Sequence, residues 1–200
     1  DTLSRTLTSL KNQTIKEWKA IVIFDGIKSN IEEDDERIKI IEIEKSGLDV
    51  NSAGNVRNKG IKHADTEWLA FVDDDDMLHE KYIECFNEEI TRKKTLDVVI
   101  FRMFNDNNHI VPLLNTDNFY VYFVGISFAV KKSIFDKGIV FIPSYKEDFD
   151  YLDKLRTKGY KMCISPYTTY FVRSTIVPLP LGNRLYINWS SKLLTQPTGD

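Results

Sequence analysis

The sequence predicts an α/β domain in which short buried strands alternate with amphipathic helices, with an antiparallel or mixed part of the sheet toward the end. Two observations carry this. Short apolar runs recur between stretches whose large hydrophobics keep helical spacing, and two of the runs, residues 18–24 and 67–72, lead directly into an aspartate, Asp25 and Asp73. Ligands of such sheets collect at the carboxyl ends of the strands, so both acids mark a candidate site. A chain of 200 residues suits one domain, enough to bury about 70% of its unfolded surface. Hydrophobic content of 42% and charged content of 28% are those of an ordinary globular protein. The net charge of -3 gives no general attraction to nucleic acid or anionic membrane.

Leu3, Leu7 and Leu10 share a helix face, so the chain opens inside a helix ending near Asn12. "WKAIVIF" (18–24) reads as a buried strand turning at Asp25-Gly26, and "IKIIEI" (38–43) as a second. Asn51 and Ser52 offer caps to a helix reaching Ala64, despite Gly54 and Gly60. "EWLAFV" (67–72) is a strand, and Ile83, Phe86 and Ile90 place a helix soon after it. "DVVIFRM" (97–103) and "ISFAVKK" (126–132) are further strands, and residues 105–124 between them show no readable period. Residues 146–160 read as a helix with Phe149, Leu152 and Leu155 inward, and "KMCISP" and "TTYFVR" as two short final strands. From about residue 175 the chain is rich in Pro, Asn, Ser and Thr. The organisation expected is a domain over 1–175 and a C-terminal extension over 176–200.

Cys85 and Cys163 have neither CxxC spacing nor company for a disulfide framework. Both sit in apolar periodic segments, as core thiols of a reducing compartment would. With no apolar run near the ~20 residues of a membrane span and no signal peptide, the expected location is cytoplasmic. Peripheral membrane association stays open. Asn12-Gln13-Thr14 and Asn188-Trp189-Ser190 fit the glycosylation pattern, which arises often by chance. His63, His79 and His109 lack ligand spacing to one another, and "IEEDDE" (31–36) reads as a solvated loop.

The strongest local signal is "FVDDDDMLH" (71–79). If the strand continued through it, Asp73 and Asp75 would share a face about 7 Å apart. Their charges would then repel by roughly 2 to 3 kcal/mol at an effective dielectric near 20. Such acids need protonation, strong donors or a cation. The alternative is a solvated acidic turn in which Asp76 caps the next helix.

Four stretches, in order, carry a resemblance: "DTLSRTLTSLKNQT" (1–14), "AIVIFDGIKSN" (20–30), "NVRNKGIKHADTEWLAFVDDDD" (55–76) and "YKEDFDYLDKLRTKGYK" (145–161). Together they resemble family 2 glycosyltransferases of the GT-A fold, which move a sugar from a nucleotide-sugar donor. The resemblance covers roughly residues 1–175. It implies a mixed, mostly parallel sheet flanked by helices, with the family's first strand missing ahead of "DTL". Phe24 stands where the family usually carries an acid, and "TTYFVRS" offers Arg173 but none of the family's His, so a third metal ligand is not visible.

By resemblance, the donor is a nucleotide-diphospho-sugar, most simply UDP-linked, the acceptor a carbohydrate or glycoconjugate hydroxyl, and the cofactor Mn²⁺ or Mg²⁺. Asp75 would bind the ion and Asp73 the donor ribose or the ion's water shell, while Asp76 would help hold the ion or cap the helix. Asp25 would accept a hydrogen bond from the base, or form an Asx turn with Gly26. Arg57 would contact base or diphosphate, or form a surface ion pair on its helix. Asn58 would hold a loop. Asp148 would be the catalytic base of an inverting displacement and Glu147 would orient a substrate hydroxyl, unless both are ordinary acids of a helix N-terminus. Tyr120, Tyr122 and Phe123 would line an acceptor groove or pack in the core. Two other classes compete: a non-catalytic nucleotide-sugar or divalent-ion binding domain of the same fold, and a strand-end phosphatase using Lys131 or Lys132. A nucleotidyltransferase of similar fold fits the "KED" helix less well.

Overall fold

The computed structural model describes residues 2–46, 53–105, 107 and 109–172. Asn51 and Ser52, Arg173, the second glycosylation pattern and the extension over 176–200 lie outside the described residues. Helix α1 (Thr2–Lys11) is followed by strands β1 (Ala20–Asp25) and β2 (Ile38–Ile43), then α2 (Ala53–Ile61). Strand β3 (Trp68–Ala70), the short β4 (Met77–Leu78) and α3 (Tyr82–Arg92) come next. Strands β5 (Val98–Phe104), β6 (Ile110–Val111) and β7 (Phe128–Lys131) lead to α4 (Lys132–Asp136), α5 (Glu147–Thr157) and β8 (Met162–Phe171).

The strands form a parallel β1–β2 pair and a six-stranded mixed sheet in the order β3-β7-β5-β8-β4, with β6 also paired to β5. The longest ladders are parallel. The β1–β2 and β5–β8 ladders each register six residue pairs, the four antiparallel ladders only two or three. Among the described residues no strand joins the two sheets. Strand β5 lies at the centre. Val98, Val99, Ile100 and Phe101 are wholly buried, the continuous apolar run typical of a strand covered on both faces.

Helix α5 seals one side with Leu152 and Leu155 at zero exposure, and Phe149 only partly buried beside them. Its Tyr151 stacks on Phe141 and Phe135 at centroid distances of 4.4 and 5.4 Å. Both cysteines are buried and free, as expected of core thiols. No helix among the described residues is long and apolar enough to cross a membrane.

Two sequence expectations change. Strand β3 ends at Ala70, so the acids sit in a turn, closed by the Asp76 amide donating to the Asp73 carbonyl at 3.1 Å, and the alternating-face geometry does not apply. Phe71 leaves the ladder to join the aromatic core, 5.2 Å from Phe141. The last two expected strands are one, β8, whose register on β5 slips between Ile100 and Arg102. Pro166 lies opposite that slip, where a residue without an amide hydrogen is tolerated in a sheet.

Candidate active site

Three residues of α2 share a face, because positions i, i+3 and i+4 of a helix are neighbours. They are Gly54, Arg57 and Asn58, and all three reach α5 or the segment before it. The Gly54 amide donates to Glu147 Oε2 at 3.0 Å. Asn58 clamps the Phe141 backbone, donating from Nδ2 to its carbonyl at 2.9 Å and accepting its amide at 3.1 Å. This is the loop-holding role expected of it. A Cβ on Gly54 would fall 2.5 Å from Glu147 Oε2 and 2.9 Å from the Phe141 Cβ. Gly54→Ala is therefore expected to destabilise the fold by about 1–3 kcal/mol, measured as a lower urea midpoint.

Arg57 is the hub. Its side chain is 11% exposed, and the guanidinium donates to Asp73 Oδ1 at 2.7 Å, Glu147 Oε1 at 2.5 Å and Asp148 Oδ1 at 3.3 Å. The helix-surface ion pair is thus corrected to a buried one, because this face of α2 is covered by α5. Three carboxylates face one cation, so the cluster carries an uncompensated negative charge when all are ionised. Burial, opposed by Arg57 and reinforced by Asp73 and Glu147, pushes the Asp148 carboxyl up to about 7. Glu147 is raised by burial too, against the pull of Arg57 and the Gly54 amide. Burial disfavours the Arg57 charge, yet the surrounding acids outweigh it and hold the guanidinium more firmly protonated.

Glu147 is 9% exposed, with each carboxylate oxygen already accepting from α2. That makes it a strut between two helices.

The aspartate turn is pinned from beneath. Asp76, 3% exposed, accepts from the Tyr170 hydroxyl at 2.6 Å, and its carbonyl accepts from Thr6 of α1 at 2.6 Å. Burial, and then Asp73 and Asp76, raise the Tyr170 phenol, keeping it a donor. Asp76 does not cap the next helix: α3 begins at Tyr82, and β4 intervenes. Tyr170 escaped the sequence reading, and only its place in an apolar strand hinted at it. The Asp73 side chain is 45% exposed, Asp75 is half-buried and Asp74 is exposed.

Asp25 lies at the carboxyl end of β1, accepting from the Ser46 amide at 2.7 Å and the Ser46 hydroxyl at 2.9 Å. Its carboxylate therefore ties β1 to the end of β2, where the sequence offered an Asx turn. Gly26 supplies the turn through a φ of 74°. Lys131 sits in register with Trp68, at the other end of β3 from the acids, and Lys132 pairs with Asp136 at 2.8 Å. Neither lysine serves the phosphatase reading.

Among the described residues no group of three or more His, Cys, Asp or Glu side chains converges as a metal centre. Asp73, whose Oδ1 is held by Arg57, and Asp75 are the residues of this turn that would hold an ion taking one or two protein carboxylates and its other ligands from phosphate and water.

The chain matches the family described as Glycosyl transferase family 2 over residues 1–147. Among known proteins it is similar to the glycosyltransferase GlyG of Streptococcus pneumoniae, 29% identical over 127 residues, or 60% of this chain and 38% of GlyG. It is also similar to the poly(ribitol-phosphate) β-N-acetylglucosaminyltransferase TarP of Staphylococcus aureus, 26% identical over 94% of this chain and 63% of TarP. The chain spans 20% to 63% of the length of the curated relatives it matches. In structure it superposes on residues 1–349 of S. aureus TarS in complex with UDP-GlcNAc, with a TM-score of 0.68 at 18% identity, over 98% of this chain and 64% of that one. The match thus runs from the opening helix through the aspartate turn to the first residue of α5, and the chain belongs to glycosyl transferase family 2.

Proposed function

We propose that this chain forms the catalytic centre of an inverting, metal-dependent glycosyltransferase that moves a sugar from a UDP-linked donor to a hydroxyl of a carbohydrate or glycoconjugate. One observation carries the reading: Arg57 ties Asp73, on the aspartate turn, and Asp148, at the start of α5, into a single cluster. Donor-side acids and a carboxyl that burial pushes up to about 7 therefore share one cation. The UDP-GlcNAc and UDP bound to TarS support a nucleotide-sugar donor.

Asp25, held in place by Ser46 at a strand's carboxyl end, is the acceptor offered to the nucleobase. Asp75, with Asp73, would hold the cation, while Asp76 is left out of the ligand set because it is buried against Tyr170. Bound there, Mn²⁺ or Mg²⁺ would supply positive charge against the departing diphosphate. Asp148 removes the proton of the acceptor hydroxyl as that oxygen bonds to the anomeric carbon. The bond from that carbon to the diphosphate oxygen breaks on the opposite face, UDP leaves with the electron pair, and the anomeric configuration inverts.

The donor side is tested by thermal shift. UDP with Mn²⁺ is expected to raise the melting temperature of the wild type by mass action, and Asp75→Ala to abolish most of the rise. Equal stabilisation without metal, or in the variant, counts against the assignment. Binding without turnover of any donor would favour the non-catalytic nucleotide-sugar binding domain instead.

A further inference from the structure

Among the described residues, nine large hydrophobic side chains are exposed, and eight of them fall in two segments, 113–123 and 140–145. Random scatter of surface hydrophobics does not look like this, and such concentration marks a binding surface. Both segments converge on Asp148. The first runs on to Gly125, where a Cβ would lie 4.0 Å from Asp148 Oδ2, and its Phe119 meets Phe149 of α5 edge-on at 6.0 Å. The second runs directly into α5.

The rings are displayed by design of the backbone. Tyr122 is 80% exposed and holds a φ of 67°, a conformation costly for a bulky residue. The loop beneath is fastened by Arg102, a buried cation on β5. It donates to the Leu113 carbonyl at 3.3 Å, the Thr116 carbonyl at 3.1 Å and the Ser165 carbonyl, which lies in the register slip of β8. The cleft this loop forms measures about 440 Å³, within the ~300–1,000 Å³ of small-ligand sites. Tyr120, Tyr122 and Phe123 line it, together with Asn118 and Thr116.

The charge of the surface selects its occupant. Residues 112–123 and 139–145 contain one charged side chain, Asp117, and no Lys or Arg. The cations beside them are paired, Lys146 with Asp150 at 2.7 Å and Arg156, which lies 5.0 Å over the Phe119 ring, with Asp153. A polyanion or an anionic lipid surface calls for cations at the contact. Tyrosine rings instead offer stacking faces to uncharged sugars.

We infer that the aromatic platform of Tyr120, Tyr122 and Phe123 binds the acceptor as a neutral glycan, whose hydroxyl it presents to Asp148. This deepens the proposed function and rests on it. It also separates this chain from TarP, whose name specifies a phosphate polymer.

The test uses saturation-transfer NMR and titration with cellotetraose, maltotetraose and chitotetraose. Poly(ribitol phosphate) and phosphatidylglycerol vesicles are run in parallel. At least one neutral tetrasaccharide is expected to receive magnetisation from the aromatic protons. Tyr122→Gly should weaken that binding about tenfold, the worth of roughly one ring contact. Because glycine relieves the φ, the same variant should melt no lower than the wild type, which a merely structural tyrosine would not allow. No binding across the neutral panel, preference for the phosphate polymer or the vesicles, or unchanged glycan affinity in the variant overturns the inference. The UDP–Mn²⁺ thermal shift is read on the same samples. Its loss with glycan binding intact removes the donor assignment and leaves the platform standing, and the reverse result removes the platform alone.

Discussion

Asp148→Asn is expected to lower glycosyl-transfer turnover by a factor of about 10² to 10⁴, the usual worth of a positioned base. Asparagine keeps the shape of the neutral acid and removes only its ability to take a proton. Wild-type activity should rise with pH through about 7, where the carboxyl ionises. Stability should run the other way. The folded state raises this carboxyl from 3.8 to about 7, so between those values the unfolded chain gives up the proton while the folded one keeps it. Stability then falls as pH rises, by at most about 1.4 kcal/mol per unit, and levels off above the folded value. Asparagine is spared that loss, so the variant should be more stable than the wild type at pH 8 and closer to it at pH 4. Urea midpoints at the two pH values measure the difference. A variant that keeps full turnover, or gains no stability at pH 8, would remove Asp148 from its role.

Arg57→Met should be the most destabilising substitution in the site, at about 3–5 kcal/mol near pH 8, because it strands buried carboxylates without their cation. Methionine keeps much of the volume, so packing changes little and the charge is what is lost. The deficit should shrink as pH falls toward 5, since Asp148 and Glu147 can each accept a proton in place of the guanidinium. Arg57→Lys should recover only part of the loss, a single ammonium being unable to fork across three acceptors as the guanidinium does. Chemical unfolding of the three proteins at both pH values decides it. Equal losses at pH 5 and pH 8 would mean that charge is not the cause.

Much of this architecture could be read from residue order because the elements concerned have a period. Leu152 and Leu155 announce α5, and the run from Val98 to Phe101 announces a strand covered on both faces. The aspartate turn has no period, so nothing local shows that β3 stops at Ala70. Strand β4 is two residues long and exists through its pairing with Tyr170 and Phe171, a partner more than 90 positions away. Pro166 made one strand look like two, since the slip that accommodates it belongs to β5 as much as to β8. At the site, Asp148 stood out through its motif. The burial of Arg57, the strut made by Glu147 and the bond from Tyr170 to Asp76 are meetings of distant segments, which composition and spacing leave unspecified.

The contacts of Gly54, Arg57 and Asn58 have a mechanical consequence. Since one face of α2 grips both Glu147 and the Phe141 backbone, the two helices must travel together, and any hinge serving ligand entry has to lie outside the pair. A single residue inserted between Gly54 and Arg57 would swing half the grip through roughly 100° and unlatch α5 from the aspartate turn in one step.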